Sequence, residues 1–323
     1  MKTIYKNEKA KKAVLELYDK QLEELHIPYQ DIYLKTSFGK THLVECGNYD
    51  KEPLLVFHGG NATTAYNLKY CDFLLTHFHI YAVDTIGHPG KSDEVSLSPY
   101  RQDYGKWGKE VIEKLGYKQM ACFGGSFGAG ILVKTMCVAP EIVARSVLLV
   151  PAAIRNAASI KSVNMAFPMS MYLITHKEKW FRKCILPMAL REENITNDIL
   201  ITAKCSIDHA KIKAVMPQNE KESELRKYKN PVLVMAAEKD CLFPAGKVIP
   251  KAKEVWPQGE TYLLKDRGHI HQLSDMEKQM IIDALKGQTL IESTIKDIIE
   301  NGELDSVCSK INKLKDRYTN EIK

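Results

Sequence analysis

A glycine-flanked serine is the strongest chemical signal in this sequence. The segment Gly124-Gly125-Ser126-Phe127-Gly128 directly follows an apolar run that ends at Phe123, and it precedes a helical stretch, Ile131 to Val138. A serine on a tight strand-to-helix turn can present its hydroxyl group as a nucleophile, and flanking glycines let the backbones approach closely. An ordinary glycine-rich turn is the alternative interpretation. The position between a strand and a helix favours Ser126 as a catalytic nucleophile.

A nucleophilic serine needs a base, and two late histidines are candidates. Gly268-His269 follows the apolar run Tyr262 to Leu264, and His271 lies two residues further on. Because the glycine marks a loop that can aim the next side chain, we predict His269 as the general base and keep His271 as its rival. The two histidines could instead bind a metal ion, but no third cluster of ligands supports this, and no metal is expected.

An acid that orients the base is expected on the loop after the preceding strand. Pro231 to Ala237 is followed by Glu238-Lys239-Asp240, and Asp240 is the predicted acid with Glu238 as the alternative. A solvated charge is the ordinary interpretation of any one acidic residue in a loop. Here serine, aspartate and histidine follow three strands in the chain order typical of one large class of hydrolases, and their conjunction supports all three roles.

A second glycine-rich loop, His58-Gly59-Gly60-Asn61, follows the apolar run that ends at Phe57. Acyl transfer needs backbone N–H donors directed at the developing oxyanion. We predict these donors to be the amides of Gly60 and of Phe127, the residue after the serine. His58 is interpreted as a structural, hydrogen-bonding histidine rather than a base.

Short apolar runs alternate with helical stretches along most of the chain. The runs lack polar alternation, which is typical of strands buried on both faces of a parallel sheet. Strand–helix alternation predicts an α/β fold with a mostly parallel, doubly wound sheet. The predicted strands from these runs are 53–57, 80–83, 120–123, 147–150, 231–235 and 262–264. Two further strands, 31–35 and 41–46, are predicted before them, around a turn at Phe38-Gly39.

Helical segments flank and interrupt this pattern. We predict an amphipathic helix in 1–28, a core in 29–153 and 230–287, an inserted helical cap in 154–229, and a helical extension in 288–323. The cap is rich in Met and aromatic residues, which suggests an apolar substrate pocket but also fits helix packing. The two terminal helices could support a homodimer, although a helix that covers the core is the more common outcome.

Composition excludes several classes of protein. The net charge of +6 is spread along 323 residues without a basic block, so no nucleic-acid partner is expected. The longest apolar runs are too short to cross a bilayer, and no membrane partner is expected. The amino terminus lacks the features of a signal peptide, and the eight cysteines have no regular spacing. We therefore expect a cytoplasmic protein.

The chain from about Asp31 to Gly287 resembles the α/β-hydrolase superfamily, and in particular its capped, carboxylesterase-like serine hydrolases. The resemblance implies that the nucleophile, acid and base carry over onto Ser126, Asp240 and His269. The serine elbow is also similar to that of proline iminopeptidase-like members, but Asn61-Ala62 replaces their Pro-Gly. Dehalogenases and epoxide hydrolases of this fold use an aspartate nucleophile, which Ser126 argues against. The matching segments are HGGN at His58, DTIGHPGKS from Asp84, GGSFG around Ser126, EKDCLFP from Glu238 and RGHIH from Arg267.

These residue types predict a serine hydrolase that cleaves a small-molecule carboxylic ester through an acyl-enzyme, without a cofactor. Two alternatives stay open. The same triad could cleave another acyl bond, as in a lactonase, thioesterase, amidase, aminopeptidase or carbon–carbon hydrolase, or the chain could be a non-catalytic ligand-binding protein on the same scaffold. Asn61, Met165 and Met169 are predicted to contact the substrate.

Overall fold

The structure is a computed structural model that describes residues 3–157, 163–211 and 215–288. In this part of the chain eight strands form one sheet in the order β1-β2-β4-β3-β5-β6-β7-β8. The strands are β1 Tyr29–Thr36, β2 Gly39–Gly47, β3 Pro53–Phe57, β4 His79–Val83, β5 Met120–Gly125, β6 Val143–Leu149, β7 Val232–Ala237 and β8 Glu260–Leu264.

The burial of each strand agrees with its position and pairing in the sheet. β1 and β2 form an antiparallel hairpin, β2 pairs antiparallel with β4, and the remaining pairs are parallel. The central strands β3, β5 and β7 are buried along nearly their whole length, because helices cover both faces of a parallel sheet. The edge strand β1 alternates between exposed and half-buried residues. The predicted doubly wound α/β fold is confirmed.

Helices cover both faces of the sheet. On one face α3, α4 and α9 enclose a core around Trp107, Ile131 and Val248, and on the other α1, α2 and α10 enclose a core around Tyr18, Leu68 and Ile281. The helices are α1 Glu8–Glu23, α2 Thr64–Tyr70, α3 Asp103–Lys114, α4 Phe127–Val138, α5 Val163–Thr175, α6 Glu178–Ala189, α7 Asn197–His209, α8 Glu222–Leu225, α9 Ala245–Val255 and α10 Asp275–Lys286.

The long segment between β6 and β7 carries α5, α6, α7 and the short α8. Its first three helices share a small apolar cluster of their own, in which Tyr172, Phe181 and Leu200 are buried. Many of the aromatic and methionine side chains that the sequence places here therefore pack between helices. The boundaries 154–229 for a cap domain stay a prediction.

The amino-terminal helix α1 packs onto α2 and α7 of its own chain. Its side chains at helical spacing, Val14, Tyr18 and Leu22, are buried there, and Asn7 caps its first turn. The apolar stripe of α1 is thus covered within the chain, and dimerisation through it stays a prediction. The predicted extension after Gln288 lies outside the described residues.

Three further features concern the described residues. None of their helices combines the length and the apolar composition that a membrane span requires. Six of their cysteines are free thiols, namely Cys46, Cys71, Cys122, Cys137, Cys184 and Cys205. No group of three or more His, Cys, Asp or Glu side chains within these ranges is arranged to hold a metal ion.

The strand order brings the predicted functional loops to one edge of the sheet. β3 and β5 are neighbours, with Phe57 opposite Gly124, although 62 residues separate the two strands in the sequence. Because β3, β5, β7 and β8 run parallel, the loops that carry Gly60, Ser126, Asp240 and His269 leave the sheet at the same edge. Ligands of open α/β sheets bind at this carboxyl edge.

Candidate active site

Ser126 occupies a strained turn between β5 and α4. Its backbone has φ 55° and ψ −114°, a left-handed conformation that costs a non-glycine residue about 1–3 kcal/mol. Hydrogen bonds on both sides hold it there: the Ser126 amide donates to the Leu149 carbonyl at 2.9 Å, and the Ser126 carbonyl accepts from the Gly130 amide at 3.1 Å. The surrounding backbone therefore fixes the direction of the serine side chain.

The two glycines before Ser126 have different roles, and this gives a first prediction. A Cβ on Gly124 would lie 2.8 Å from backbone atoms of Ala129, whereas a Cβ on Gly125 would meet nothing within 4 Å. We expect Gly124→Ala to lower the free energy of unfolding by about 1–3 kcal/mol, because backbone must move to make room. Gly125→Ala is the matched control and is expected to change it little. Urea denaturation of both variants tests this, and equal losses would contradict it.

Three polar side chains form a chain of hydrogen bonds beside this turn. Ser126 Oγ lies 2.9 Å from His269 Nε2, and His269 Nδ1 lies 2.8 Å from Asp240 Oδ2. The Asp240 side chain is fully buried and that of His269 is 8% exposed. With Nδ1–H donating to Asp240, Nε2 is free to accept the serine proton. The structure thus brings together the three residues that the sequence suggested.

The surroundings of Asp240 favour its anionic form. Burial alone would raise the pKa of this carboxyl group, but the electrostatic interaction and the hydrogen bond with His269, together with two backbone donors, hold the pKa below its usual value. Those donors are the amides of Leu242 and Phe243, at 2.7 and 3.0 Å from Oδ1. An anionic Asp240 can stabilise a protonated His269 during a reaction.

The predicted oxyanion donors also lie next to each other. A Cβ on Gly60 would be 3.4 Å from the Cβ of Phe127, and a Cβ on Gly59 would be 3.7 Å from that of Ser126. Among residues 3–157, 163–211 and 215–288, no acceptor pairs with the amide of Gly60 or of Phe127. The two N–H groups are therefore available to a ligand oxygen near Ser126.

Comparisons with known proteins agree with this architecture. The sequence model of the alpha/beta hydrolase fold matches residues 52–174. Carboxylesterase YbfK of Bacillus subtilis is 26% identical over 287 residues, which cover 84% of this chain and 92% of YbfK. The crystal structure of YbfK superposes with a TM-score of 0.73 at 22% identity, covering 87% of this chain and 100% of that one. The chain has the α/β-hydrolase fold.

A second esterase structure has the same fold. The naproxen esterase of Bacillus subtilis superposes with a TM-score of 0.69 at 21% identity, over 84% of this hydrolase and 94% of that chain.

The loop that carries His269 is held by the end of α6, a contact that the sequence did not reveal. The Ile270 amide donates to the Met188 carbonyl at 3.0 Å, and a Cβ on Gly268 would lie 2.3 Å from the same oxygen. Gly268 therefore allows the close approach of α6 to the loop, rather than only aiming the histidine. No signal in a single sequence pairs two segments about 80 residues apart.

The rival candidates are engaged elsewhere. His271 is buried, and its Nδ1–H donates to the Gly268 carbonyl at 3.0 Å. The Glu238 carboxylate accepts from the Asp266 amide at 2.9 Å. His58 is buried and accepts a hydrogen bond at Nε2 from the Thr85 amide. Burial lowers the pKa of His58, which agrees with its predicted structural role.

His271 gives a prediction on stability. Burial lowers the pKa of His271 to about 4, so the folded protein keeps it neutral where the unfolded chain, with a pKa near 6.5, takes up a proton. The free energy of unfolding is therefore expected to fall as the pH drops below 6.5, by about 2 kcal/mol from this residue at pH 5. Urea denaturation at pH 7 and pH 5 measures this loss. It should be smaller in His271→Gln, and an unchanged loss would contradict the assignment.

The three residues predicted to contact substrate lie in two places. Asn61, with a φ of 56°, lines a cavity whose wall also includes Phe127. Met165 and Met169 lie on α5, where both are half-buried, and Met169 packs against the apolar cluster of the three helices. Neither methionine lines this cavity. Substrate contact by these three residues stays a prediction.

Proposed function

We propose that this hydrolase is a carboxylesterase that acts on a small-molecule ester through Ser126, Asp240 and His269. The observation that carries the proposal is the unbroken chain of hydrogen bonds from Ser126 Oγ through His269 to the buried Asp240. A strained serine that is bonded to a neutral imidazole, which is in turn bonded to a carboxylate, is the arrangement that serine acyl hydrolases need.

The first half of the reaction forms an acyl-enzyme. His269 Nε2 accepts the hydroxyl proton while Ser126 Oγ attacks the carbonyl carbon of the ester. The carbonyl oxygen becomes an oxyanion, which the amides of Gly60 and Phe127 stabilise; one such donor is worth about 3 kcal/mol of barrier. Protonated His269 then gives its proton to the departing alcohol oxygen. The carbon–oxygen bond breaks, and the acyl group stays on Ser126.

The second half releases the acid. His269 accepts a proton from a water molecule, which attacks the acyl carbon and forms a second oxyanion in the same position. Collapse of this intermediate expels Ser126 Oγ, which takes the proton back from His269. Asp240 stays ionised in both halves, because its pKa is held low. The cycle needs no cofactor.

The names of the relatives support an ester as the substrate. YbfK and a second Bacillus subtilis protein, 23% identical over 274 residues, are both called carboxylesterases. The groups described around Ser126 Oγ are backbone amides and the imidazole of His269, which can act on the neutral carbonyl group of an ester.

The proposal is tested with purified wild-type protein. Hydrolysis of p-nitrophenyl esters from acetyl to long acyl chains is measured beside matched thioester, lactone and anilide substrates. In parallel, an alkyl fluorophosphonate is added, and the adduct is located by peptide mass spectrometry. We expect ester turnover to exceed that of the other bonds and the adduct to lie on Ser126.

The outcomes separate the alternatives. Faster cleavage of thioesters, lactones or amides would show that the same triad acts on that bond rather than on an ester. An adduct on Ser126 without ester turnover would show a reactive serine but would reject the esterase. Neither adduct nor turnover would favour a protein that only binds ligands and would reject the proposed function.

A further inference from the structure

A cavity of ≈ 350 Å³ opens beside the proposed oxyanion site. Asn61, which follows Gly60, and Phe127, which follows Ser126, both contribute to its wall. The Phe127 ring is fixed against His88 and Tyr104, with ring centroids 4.6 and 5.5 Å away, and these two residues also line the cavity. The volume is at the lower end of the range for sites that bind small molecules.

The wall also contains a residue from the amino terminus of the chain. Ile4 is 8% exposed and lines the cavity together with Lys211. Ile4 belongs to residues 3–6, which we call the N-terminal strap. The strap precedes α1.

The N-terminal strap is tied to the segment that follows α7. The Lys211 amide donates to the Ile4 carbonyl at 2.6 Å, and the Lys6 amide donates to the His209 carbonyl at 2.9 Å. Between these bonds Tyr5 forms an antiparallel bridge with Ala210. The strap thus behaves as a short added strand.

The strap is tied equally to the loop after β4. The Ile4 amide donates to Glu94 at 3.0 Å, and Glu94 also pairs with Lys11 at 2.7 Å. The buried Tyr5 hydroxyl donates to the Gly90 carbonyl at 3.0 Å. Because backbone and side-chain bonds hold the strap on both sides, the position of the Ile4 side chain in the wall is fixed.

We propose that Ile4 is a specificity-determining residue, which limits the length of the apolar chain that an ester substrate can place in this cavity. The inference rests on the proposed esterase function. A branched aliphatic side chain at a fixed wall position excludes volume without offering a hydrogen bond, so it selects by size. Each additional methylene group that the cavity can bury is expected to raise kcat/KM by about four-fold.

The test measures kcat/KM for p-nitrophenyl esters of increasing acyl length, and for alkyl acetates of increasing alcohol length. Ile4→Ala is expected to move the optimum to longer chains, and Ile4→Phe to shorter ones, in one of the two series. The series that responds shows whether the acyl or the alcohol part occupies the cavity. Ile4→Val is the conservative variant, with a smaller shift in the direction of Ile4→Ala.

Val14→Ala is the matched control. Val14 is buried in the same small cluster as Ile4 and Tyr5, but it does not line the cavity. We expect this variant to lose stability and keep the chain-length profile of the wild type. Unchanged profiles in the folded Ile4 variants, or the same shift in Val14→Ala, would overturn the proposal.

A second readout separates this inference from the proposed function. Labelling rates of Ser126 are measured with alkyl fluorophosphonates of increasing chain length, in the wild type and the Ile4 variants. A chain-length profile that depends on Ile4, without ester turnover, would support the cavity and reject the esterase. Ester turnover with profiles independent of Ile4 would reject only the present inference. A wild type that is neither labelled nor active would overturn both.

Discussion

Replacement of Ser126 by alanine is expected to lower kcat for ester hydrolysis by about 10⁵-fold, because it removes the oxygen atom that attacks the carbonyl carbon. In the wild type, His269 Nε2 is hydrogen-bonded to Ser126 Oγ. Without the serine hydroxyl group, His269 could still activate a water molecule. The residual rate would come from the oxyanion donors and from substrate binding. Steady-state kinetics on the preferred p-nitrophenyl ester, with the variant purified in the absence of any wild-type enzyme, measures the loss.

Ser170→Ala is a suitable control for this experiment. Ser170 lies exposed on α5, and its hydroxyl only donates to the Ala166 carbonyl within the same helix. Its replacement should leave kcat unchanged. The thermal unfolding midpoints of both variants should stay close to that of the wild type. A Ser126→Ala protein that is folded and nearly as active as the wild type would rule out the serine mechanism.

Asp240→Asn is expected to lower kcat by about 10⁴-fold while the protein stays folded. The side-chain oxygen of asparagine can still accept from the Leu242 and Phe243 amides, so its NH₂ group faces His269 Nδ1. The imidazole then carries its proton on Nε2, and it cannot accept the proton of Ser126. Kinetics over a range of pH should show the loss at every pH at which the wild type is active.

Glu238→Gln is the matched control for the acid. Glu238 is two residues earlier in the same loop, is exposed, and accepts a hydrogen bond from the Asp266 amide. Its kcat should stay within about two-fold of the wild type, as for most surface substitutions. If Glu238→Gln were the more damaging of the two, the acid would be Glu238, and the hydrogen bond between Asp240 and His269 would be only structural.

The sequence by itself determined the sheet and the identity of the reactive groups. Apolar runs without alternation mark the central strands, which are buried on both faces, and the turn at Phe38-Gly39 marks the hairpin of the first two strands, so the strands could be located from local pattern. Gly124 in the serine turn has a local reason too, since a Cβ there would lie 2.8 Å from the backbone of Ala129. The chain order of Ser126, Asp240 and His269 adds the expectation that parallel strands bring them to one edge.

Only the tertiary structure decided which of several similar residues meet. Glu238 and Asp240 lie two residues apart, as do His269 and His271, and local sequence hardly distinguishes the members of either pair. Which member of each pair joins the site depends on which atoms the fold places within hydrogen-bonding distance of each other. Asp240 and His269 are 29 residues apart in the sequence, and Ser126 and His269 are 143 residues apart. The contact of the α6 end with the histidine loop, and the place of Ile4 in the cavity wall, are long-range in the same sense. Such contacts arise from the packing of whole elements, which no local pattern encodes.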